Sequence, residues 1–228
     1  MRIARWVLCA TALLSACDGK APGTGGPQRS ATFEVQCEAL PRGDIEVRAI
    51  PIVPVDDESL SLEALTAKFS RGRANHRTLG LTEASLGYQS STEVSGLRDH
   101  RTGRSCFRAR INIALYMQPM TVFVASEIAA DDCRRAAVRS HEAKHVAVNE
   151  THLREATARL SAVLPEGLVD RVWYAADAAQ AQETIGRALA VDLNAFMAAE
   201  GVRLEAEQAE VDTPAEYERV SALCPESR

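Results

Sequence analysis

The amino-terminal half of the chain alternates hydrophobic and polar residues. The alternation is seen at 33–35, at 45–47 and, over its longest run, at 106–115. A period of two residues places one face of a strand on a core and the other toward water, so these segments predict β-strands. Leucines and a phenylalanine at helical spacing predict a short amphipathic helix over 59–70, and 121–124 is predicted to be a last short strand.

The carboxyl-terminal half is rich in alanine and poor in glycine, and its apolar residues recur at helical spacing. We predict one helix from about Asp132 to Leu164, a stop at the Pro-Glu-Gly of 165–167, and a second helix over 168–209. A short loop between two long helices predicts an antiparallel helical hairpin. The predicted fold class is therefore α+β, with a mainly antiparallel β part over 32–130 followed by the long helical hairpin over 131–228, both in one domain.

An H-E-x-x-H sequence, His141-Glu142-Ala143-Lys144-His145, lies early in the first of these helices. Histidines four positions apart share one helix face, so both imidazoles can reach one tetrahedral zinc ion. The glutamate falls on the apolar side of the helix, where an unpaired carboxylate is costly. We therefore predict that His141 and His145 bind zinc and that Glu142 is the catalytic base that takes a proton from water on the metal.

A catalytic zinc ion needs a third protein ligand. His152 lies seven residues beyond His145, which is about 10 Å along a straight helix and too far to share one ion. The second helix of the predicted hairpin is the natural source, and Glu183 falls opposite His145 in that hairpin. We predict Glu183 as the third metal ligand, the alternative being an exposed surface glutamate. Tyr174 and His152 are the candidates for a hydrogen-bond donor to the developing oxyanion.

The amino terminus has the pattern of a secretory signal over residues 1–16. Two arginines precede a short apolar stretch, which ends in Leu14-Ser15-Ala16-Cys17. This tetrapeptide resembles the lipobox of bacterial lipoproteins, which implies that Cys17 is lipidated and becomes the first mature residue. Residues 17–31 contain four glycines and two prolines and predict a flexible tether. The alternative is a plain secreted protein with a fortuitous cysteine.

Composition and charge exclude one class of partner. The chain has 228 residues, of which 46% are hydrophobic and 25% charged, so residues 32–228 suffice for a single folded domain. Loss of residues 1–16 removes two of the 26 basic residues and no acidic residue, which leaves 24 against 31 and a formal charge of −7. Because no basic stripe or aromatic ladder is seen, we expect no nucleic-acid partner.

Four cysteines follow the lipobox cysteine: Cys37, Cys106, Cys133 and Cys224. An even number of cysteines in an exported chain predicts two disulfides, for which three connectivities are possible. A bridge to Cys224 would attach the carboxyl terminus to the body of the protein. Zinc ligation by thiolates is the alternative, but no C-x-x-C pair supports it.

The segment 106–164 resembles a bacterial family of exported domains of unknown function, DUF922. The shared features are a cysteine-bearing alternating strand, a short strand, and a helix with the histidine-glutamate pair and a second histidine. The resemblance implies a zinc-dependent peptidase. That family has a histidine near its carboxyl end, whereas the corresponding region here, 211–217, contains none. The pentapeptide is also similar to that of the wider zincin peptidases, whose glutamate-ligand branch takes its third ligand from a following helix.

These features predict a zinc metallopeptidase held on a bacterial membrane by Cys17 and facing the periplasm or the exterior. Its substrate would be a peptide or protein, or a component associated with the cell wall. The first alternative is a non-catalytic envelope lipoprotein that binds a partner and keeps a vestigial or sensory metal site. The second is a structural hairpin in which His141 and His145 are surface residues. A complete set of metal ligands distinguishes the first prediction from both alternatives.

Overall fold

The computed structural model describes residues 31–51, 53–69, 77–164 and 167–224. The predicted signal peptide and Cys17 lie outside these residues, as does all of the predicted tether except its last residue. None of the described helices combines the length and the hydrophobicity needed to cross a membrane. In chain order the elements are α1 (Phe33–Glu38), β1 (Asp44–Ala49), β2 (Val55–Asp57), α2 (Leu62–Phe69), β3 (Gly80–Arg98), β4 (Ser105–Val124), α3 (Ser126–Ala129), α4 (Asp132–Val163), α5 (Gly167–Asp170), β5 (Trp173–Ala175), α6 (Ala178–Ala209) and α7 (Pro214–Leu223).

The long strand β4 is the centre of a five-stranded sheet. Strand β3 pairs with it in antiparallel fashion along one edge, from Ser105 to Val124. The other edge is shared in succession by β5, which is antiparallel, and by β1 and β2, which are parallel to β4. Every strand of the sheet therefore pairs with β4, and the order and direction of all the others are defined by it.

A short polar turn joins β3 to β4. The Asp99 carboxylate accepts hydrogen bonds from the Arg101 backbone N–H, at 2.8 Å, and from the Thr102 hydroxyl, at 2.6 Å. Gly103 has a φ of 75°, a conformation that residues with a Cβ rarely adopt. These contacts stabilise a tight turn. The strands on either side of it have 19 and 20 residues and pair over nearly their whole length.

The two long helices pack against the sheet and bury the main core. Alternate residues of β4, including Ile111, Ile113 and Leu115, are at most 1% exposed and lie in this core. Helices α4 and α6 contribute leucines and an isoleucine at helical spacing to the same core: Leu153, Leu160, Ile185, Leu189 and Leu193. The apolar residues that recur every second position in the strand and every 3.6 positions in the helices therefore pack together in one layer.

The predicted α+β fold, with an antiparallel β part followed by a helical hairpin, is wrong. The path β1-β4-β2 of the sheet is parallel and is combined with helices in an α/β-type arrangement. The predicted strand at 33–35 belongs to helix α1, whose amino terminus is capped by the Thr32 side chain. In addition, α5 and β5 lie between the two long helices, and β5 joins the sheet. An alternating pattern reports which face is buried and contains no information on the direction of the neighbouring strand.

The prediction of two disulfides is confirmed, and the structure selects one of the three connectivities. Cys37 pairs with Cys106 and joins α1 to β4, and Cys133 pairs with Cys224 and joins the first turn of α4 to the end of α7. The first disulfide is fully buried, since both of its residues are 0% exposed. The second attaches the carboxyl-terminal helix to the body of the protein, as expected.

Replacement of Gly80 by alanine is expected to destabilise the protein by about 1–3 kcal/mol, because overpacking strains a filled interior. A Cβ on Gly80 would overlap Val138 and lie 2.8 Å from Oε1 of Glu142. Gly186, inside α6, is the matched control because nothing lies within 4 Å of an added Cβ there. Gly186→Ala should stabilise the protein by up to about 1 kcal/mol. Urea unfolding measures both effects, and a Gly80→Ala variant as stable as the wild type would contradict the close packing.

Candidate metal centre

Helix α4 turns the H-E-x-x-H sequence toward the interior. It begins at a side-chain cap, where the Asp131 carboxylate accepts a hydrogen bond from the Arg134 backbone N–H at 3.0 Å. His141 and Glu142 are 7% and 3% exposed, and the His145 side chain is 12% exposed. Glu142 therefore lies on the buried side of the helix, as predicted. All three side chains face one cavity of 780 Å³.

Asp212 completes a triangle of potential metal ligands with the two histidines. Its Oδ1 lies 3.2 Å from Nε2 of His141 and 3.3 Å from Nε2 of His145. The two Nε2 atoms are themselves 3.3 Å apart. A tetrahedral ion with bonds of 2.0–2.1 Å separates its ligand atoms by about 3.3–3.4 Å. The three side chains therefore form a group whose spacing fits a small metal ion, although they belong to two distant parts of the chain.

Asp212 lies in the short connection between α6 and α7. Helix α7 starts directly after it, because the Thr213 side chain caps the helix by accepting from the Glu216 backbone N–H at 3.2 Å and Pro214 occupies the first turn. Proline lacks an N–H and has a helical φ, so it is favoured at that position. The local sequence thus ends one helix, presents an aspartate and begins another within a few residues.

Both imidazoles are oriented so that Nε2 faces the shared carboxylate. Nδ1 of His141 lies 3.3 Å from Oε1 of Glu216, and Nδ1 of His145 lies 2.5 Å from Oε1 of Gln208. Gln208 donates its own N–H groups to Oδ1 of Asn149, at 2.8 Å, and to the His145 carbonyl, so its oxygen must face the imidazole. A proton on each Nδ1 makes Nε2 the atom of each imidazole that can bind a metal, once the proton that Nε2 shares with Asp212 is displaced.

Glu216 is itself held by two cations. Its carboxylate accepts hydrogen bonds from Arg219, at 2.7 and 2.8 Å, and from Nζ of Lys144, at 2.5 Å. The hydrogen bonds from Arg219 and Lys144 hold the pKa of Glu216 far below its usual range. The carboxylate is therefore charged, and it is a strong acceptor for the Nδ1–H of His141.

The protonation states of the triangle follow from its contacts. Hydrogen bonds from His141 and His145 lower the pKa of Asp212 far below its usual range, so the group is an anion. The hydrogen bond to Asp212 is the main effect that raises the pKa of His141. For His145, burial lowers the pKa, but the hydrogen bonds with Asp212 and Gln208 outweigh it and the pKa is raised. Metal binding would displace the protons that the carboxylate draws to these imidazoles.

Glu142 lies beside this triangle in a drier environment. Its Oε2 accepts a hydrogen bond from the Thr82 hydroxyl at 2.9 Å, and this threonine belongs to the first part of β3. Burial raises the pKa of Glu142, and the nearby His145 and the Thr82 hydrogen bond oppose that rise. A carboxylate with a raised pKa and one oriented oxygen is suited to accept and return a proton.

The cavity has polar and apolar sides. Glu142 and the three potential ligands form the polar side. The apolar side is contributed by α2, the start of β3, α6 and α7 through Phe69, Leu79, Leu81, Leu204 and Val220. A volume of 780 Å³ lies in the range of sites that bind small molecules or short peptide segments.

The structure does not place the predicted third ligand, Glu183, at this site. Its side chain is 65% exposed on α6 and pairs with Arg187 at 3.1 Å. The prediction assumes that a short loop joins the two long helices. In the structure α5 and β5 lie between α4 and α6, and they shift α6 along α4 relative to that assumption. As a result Gln208, and no residue of the mid-180s, faces His145.

The two predicted oxyanion donors are also placed elsewhere. Tyr174 lies on β5, half exposed, with Arg104 over its ring. His152 is 0% exposed, with Nδ1 2.8 Å from Glu207 and Nε2 3.4 Å from Glu200. The tyrosine that does line the cavity is Tyr217, which donates its hydroxyl to Oδ1 of Asp212 at 2.8 Å.

Sequence reasoning missed Asp212, Gln208, Glu216 and Tyr217. The sequence contains one signal for the first of them, because Asp212 lies in the region 211–217, which corresponds to the part of the DUF922 domains that has a histidine. A carboxylate just before a Thr-Pro helix start is conformationally constrained and could have been considered as a ligand. No periodicity indicates Gln208 or Glu216, whose roles depend on how three helices meet.

Comparisons of this chain with protein-family models, with characterised proteins and with solved structures find no match. The site is therefore interpreted from its own geometry.

Replacement of Asp212 by alanine is expected to weaken the binding of a divalent transition metal at least tenfold, because one of three ligands is lost. Cobalt(II) is a convenient probe, since its visible absorption reports both occupancy and tetrahedral coordination. Glu183→Ala is the matched control and should bind cobalt as the wild type does, because that side chain is exposed and paired with Arg187. Equal losses in the two variants, or no loss in Asp212→Ala, would contradict the assignment of the triangle.

Proposed function

We propose that this protein is a zinc-dependent metallopeptidase of the bacterial cell envelope, which hydrolyses peptide bonds with a zinc-activated water. The observation that carries the proposal is the triangle of His141, His145 and Asp212 with the buried carboxylate of Glu142 beside it in one cavity. The resemblance of 106–164 to the DUF922 domains of unknown function, which implies a zinc-dependent peptidase, supports the same proposal.

Zinc is the metal that best suits this set of ligands. Two imidazoles and one carboxylate are a common ligand set of catalytic zinc, and they leave a fourth position for water or substrate. Calcium and magnesium prefer six or more oxygen ligands, which the site lacks among the described residues. The separations of 3.2–3.3 Å between the ligand atoms are close to the spacing that a tetrahedral ion requires.

Glu142 is the general acid and base of the proposed reaction. Zinc held by the triangle would supply Lewis acidity and lower the pKa of the attacking water. Glu142 accepts the proton of that water and later delivers it to the leaving amine. The Thr82 hydroxyl holds one carboxylate oxygen in place, and burial keeps competing water away from the other.

An extended peptide is the substrate that the surroundings of the site suggest. Gly80, Thr82 and Ala84 of β3 line the cavity. Among the described residues, no strand pairs with the edge of β3 that faces away from β4. An extended segment can add to such an edge through main-chain hydrogen bonds, while apolar side chains enter the neighbouring pockets. Leu81 and Leu204 lie in the cavity wall and would favour apolar side chains.

We also propose that the enzyme is anchored to a membrane through lipid on Cys17, with residues 18–31 as a tether. Two or more acyl chains give stable anchoring, because each buried CH₂ contributes about 0.8 kcal/mol. A tethered active site would act on substrates near the membrane, in the periplasm or at the exterior. The proposal rests on the sequence of residues 1–31.

Glu142→Gln is expected to keep zinc and to lose proteolysis by at least 100-fold, because an amide cannot accept the proton but fills the same space. Protein purified without a histidine tag should contain about one zinc per chain by mass spectrometry of the metal. Proteolysis is measured with a library of quenched fluorescent peptides.

Asp192→Asn is the matched control for this experiment, because it removes an exposed carboxylate of α6 outside the site. Less than a tenth of a zinc per chain after zinc exposure would contradict the zinc site itself. Full zinc occupancy without cleavage of any peptide or cell-wall fragment would instead favour a non-catalytic lipoprotein with a metal site.

Cys17→Ser is expected to move the protein from the membrane to the soluble fraction and to abolish its labelling by radioactive palmitate in a bacterial host. The cysteine sulfur carries the diacylglyceryl group of such a lipoprotein through a thioether, and serine has no sulfur to carry it. Cys37→Ser is unsuitable as a control because it opens a buried disulfide, so Ser30→Ala, in the predicted tether outside the lipobox, serves instead. Persistent palmitate labelling of Cys17→Ser would contradict anchoring at this position.

A further inference from the structure

Helix α7 and the connection before it contribute Glu216 and Asp212 to the candidate metal centre, but the helix has little apolar attachment to the rest of the protein. Within α7, all of whose residues are described, the only buried residue is Glu216. Tyr217 and Leu223 are 44% and 49% exposed. An isolated helix of ten residues is marginal in water, and packing of an apolar face usually supplies the missing stability. Something other than a hydrophobic face must therefore hold α7 on α4.

The polar contacts between the two helices are few. Glu216 reaches across to His141 and to Lys144, whose side chain is 46% exposed. Its other cation, Arg219, belongs to α7 itself and adds no attachment to α4. The ion pair with Lys144 is accessible to water at the lysine and contributes little to docking, whereas the contact between Glu216 and His141 is buried. The ring of Tyr217 adds a contact with the ring of His141, the two centroids being 5.7 Å apart. The covalent attachment is the disulfide between Cys133 in the first turn of α4 and Cys224 at the end of α7.

We propose that the Cys133–Cys224 disulfide positions Asp212, so that the metal centre is complete only in the oxidised protein. The connection 210–213 is held at one end by α6 and at the other by α7, and the side chain of Asp212 accepts the hydroxyl of Tyr217 on α7. When α7 is released, Asp212 loses its fixed place between the imidazoles and Glu216 leaves His141. The inference rests on the proposed zinc site and adds a redox control to it.

The two disulfides differ in their access to a reductant. Cys37 and Cys106 are 0% exposed, whereas Cys133 is exposed and Cys224 is partly exposed. Thiolate reagents reach exposed disulfides first. The bond that positions the metal ligand is therefore the one that opens under mild conditions, while the bond that joins α1 to β4 stays closed.

The chemistry of the switch is thiol–disulfide exchange with a dithiol reductant. One thiolate of the reductant attacks Sγ of Cys133, the S–S bond breaks, and the Cys224 thiolate leaves and takes up a proton. The second thiolate of the reductant then attacks its own sulfur in the mixed disulfide and releases Cys133 as a thiol. Two electrons and two protons pass to the cysteine pair, and the reductant becomes a cyclic disulfide. An exported chain would reverse this reaction in an oxidising compartment and complete its metal centre there.

The test compares Cys133→Ser/Cys224→Ser with the oxidised wild type, with zinc alone as the probe in competition against a chromophoric chelator. Removal of the disulfide should weaken zinc binding at least tenfold. Asp212→Ala should weaken binding at least tenfold in the wild type but less than threefold in the double-serine protein, because the aspartate is already displaced there. Equal effects of Asp212→Ala in both proteins would overturn the proposal. Ala222→Ser, a neighbouring exposed change that keeps the disulfide, is the matched control and should bind zinc as the wild type does.

A second measurement needs neither zinc nor a serine variant. The wild type is reduced briefly with a dithiol, alkylated and desalted, and mass spectrometry should locate the alkyl groups on Cys133 and Cys224 alone. Hydrogen exchange in 210–223 should then be at least tenfold faster than in the oxidised protein, with the exchange of β4 unchanged. Unaltered exchange in 210–223 would overturn the inference whatever the zinc result. An oxidised wild type that binds no zinc would instead contradict the proposed function.

Discussion

A helix that turns two histidines and a glutamate toward a protein interior must find a partner for each of them, and the structure is arranged around this constraint. Each partner comes from a different element: the hydroxyl of Thr82 from β3 for Glu142, Gln208 from α6 for His145, and Glu216 from α7 for His141. A buried polar group without a partner costs about 1–3 kcal/mol, and a charged one more. The H-E-x-x-H face of α4 therefore determines where β3, α6 and α7 can lie.

The rest of α4 supports this arrangement with more conventional packing. Beyond the motif its buried face becomes apolar and meets the residues of β4 in the main core. Between the two regions lies a polar layer, in which Arg159 holds the buried Glu200 of α6 at 2.6 Å and His152 contacts Glu207. Glu207 directly precedes Gln208. The apolar core and this layer together place α6 in the register that brings Gln208 to His145 in the candidate metal centre.

The elements that were predicted well are those whose signal is local. The first long helix was expected at about Asp132 to Leu164 and is observed as Asp132–Val163, because its cap, its periodicity and its stop all lie within the segment. The long alternating run at 106–115 belongs to β4 for the same reason. The arrangement was predicted poorly. Strand direction and the segment α5-β5 depend on contacts between residues far apart in the chain, which no local pattern contains.

The residues of the candidate site also differ in whether local sequence or tertiary contacts bring them together. His141, Glu142 and His145 could be identified because helix geometry alone places them together. Glu183 lies away from the candidate site. Its prediction as a ligand required the register between two helices, and that register depends on where β5 joins the sheet. Asp212 is 67 residues from His145 and approaches it only because α7 folds back on α4.

The sequence by itself thus determined which helix face bears the chemistry, which residue types it uses and how many disulfides close the fold. These properties depend on intervals of a few residues and on side-chain type. Only the tertiary structure shows which cysteines pair, which carboxylate joins the two histidines in the candidate metal centre and which acceptors orient the imidazoles. Those choices depend on packing between elements separated by tens of residues, where a shift of one helical turn, about 5.4 Å, exchanges one side chain for another.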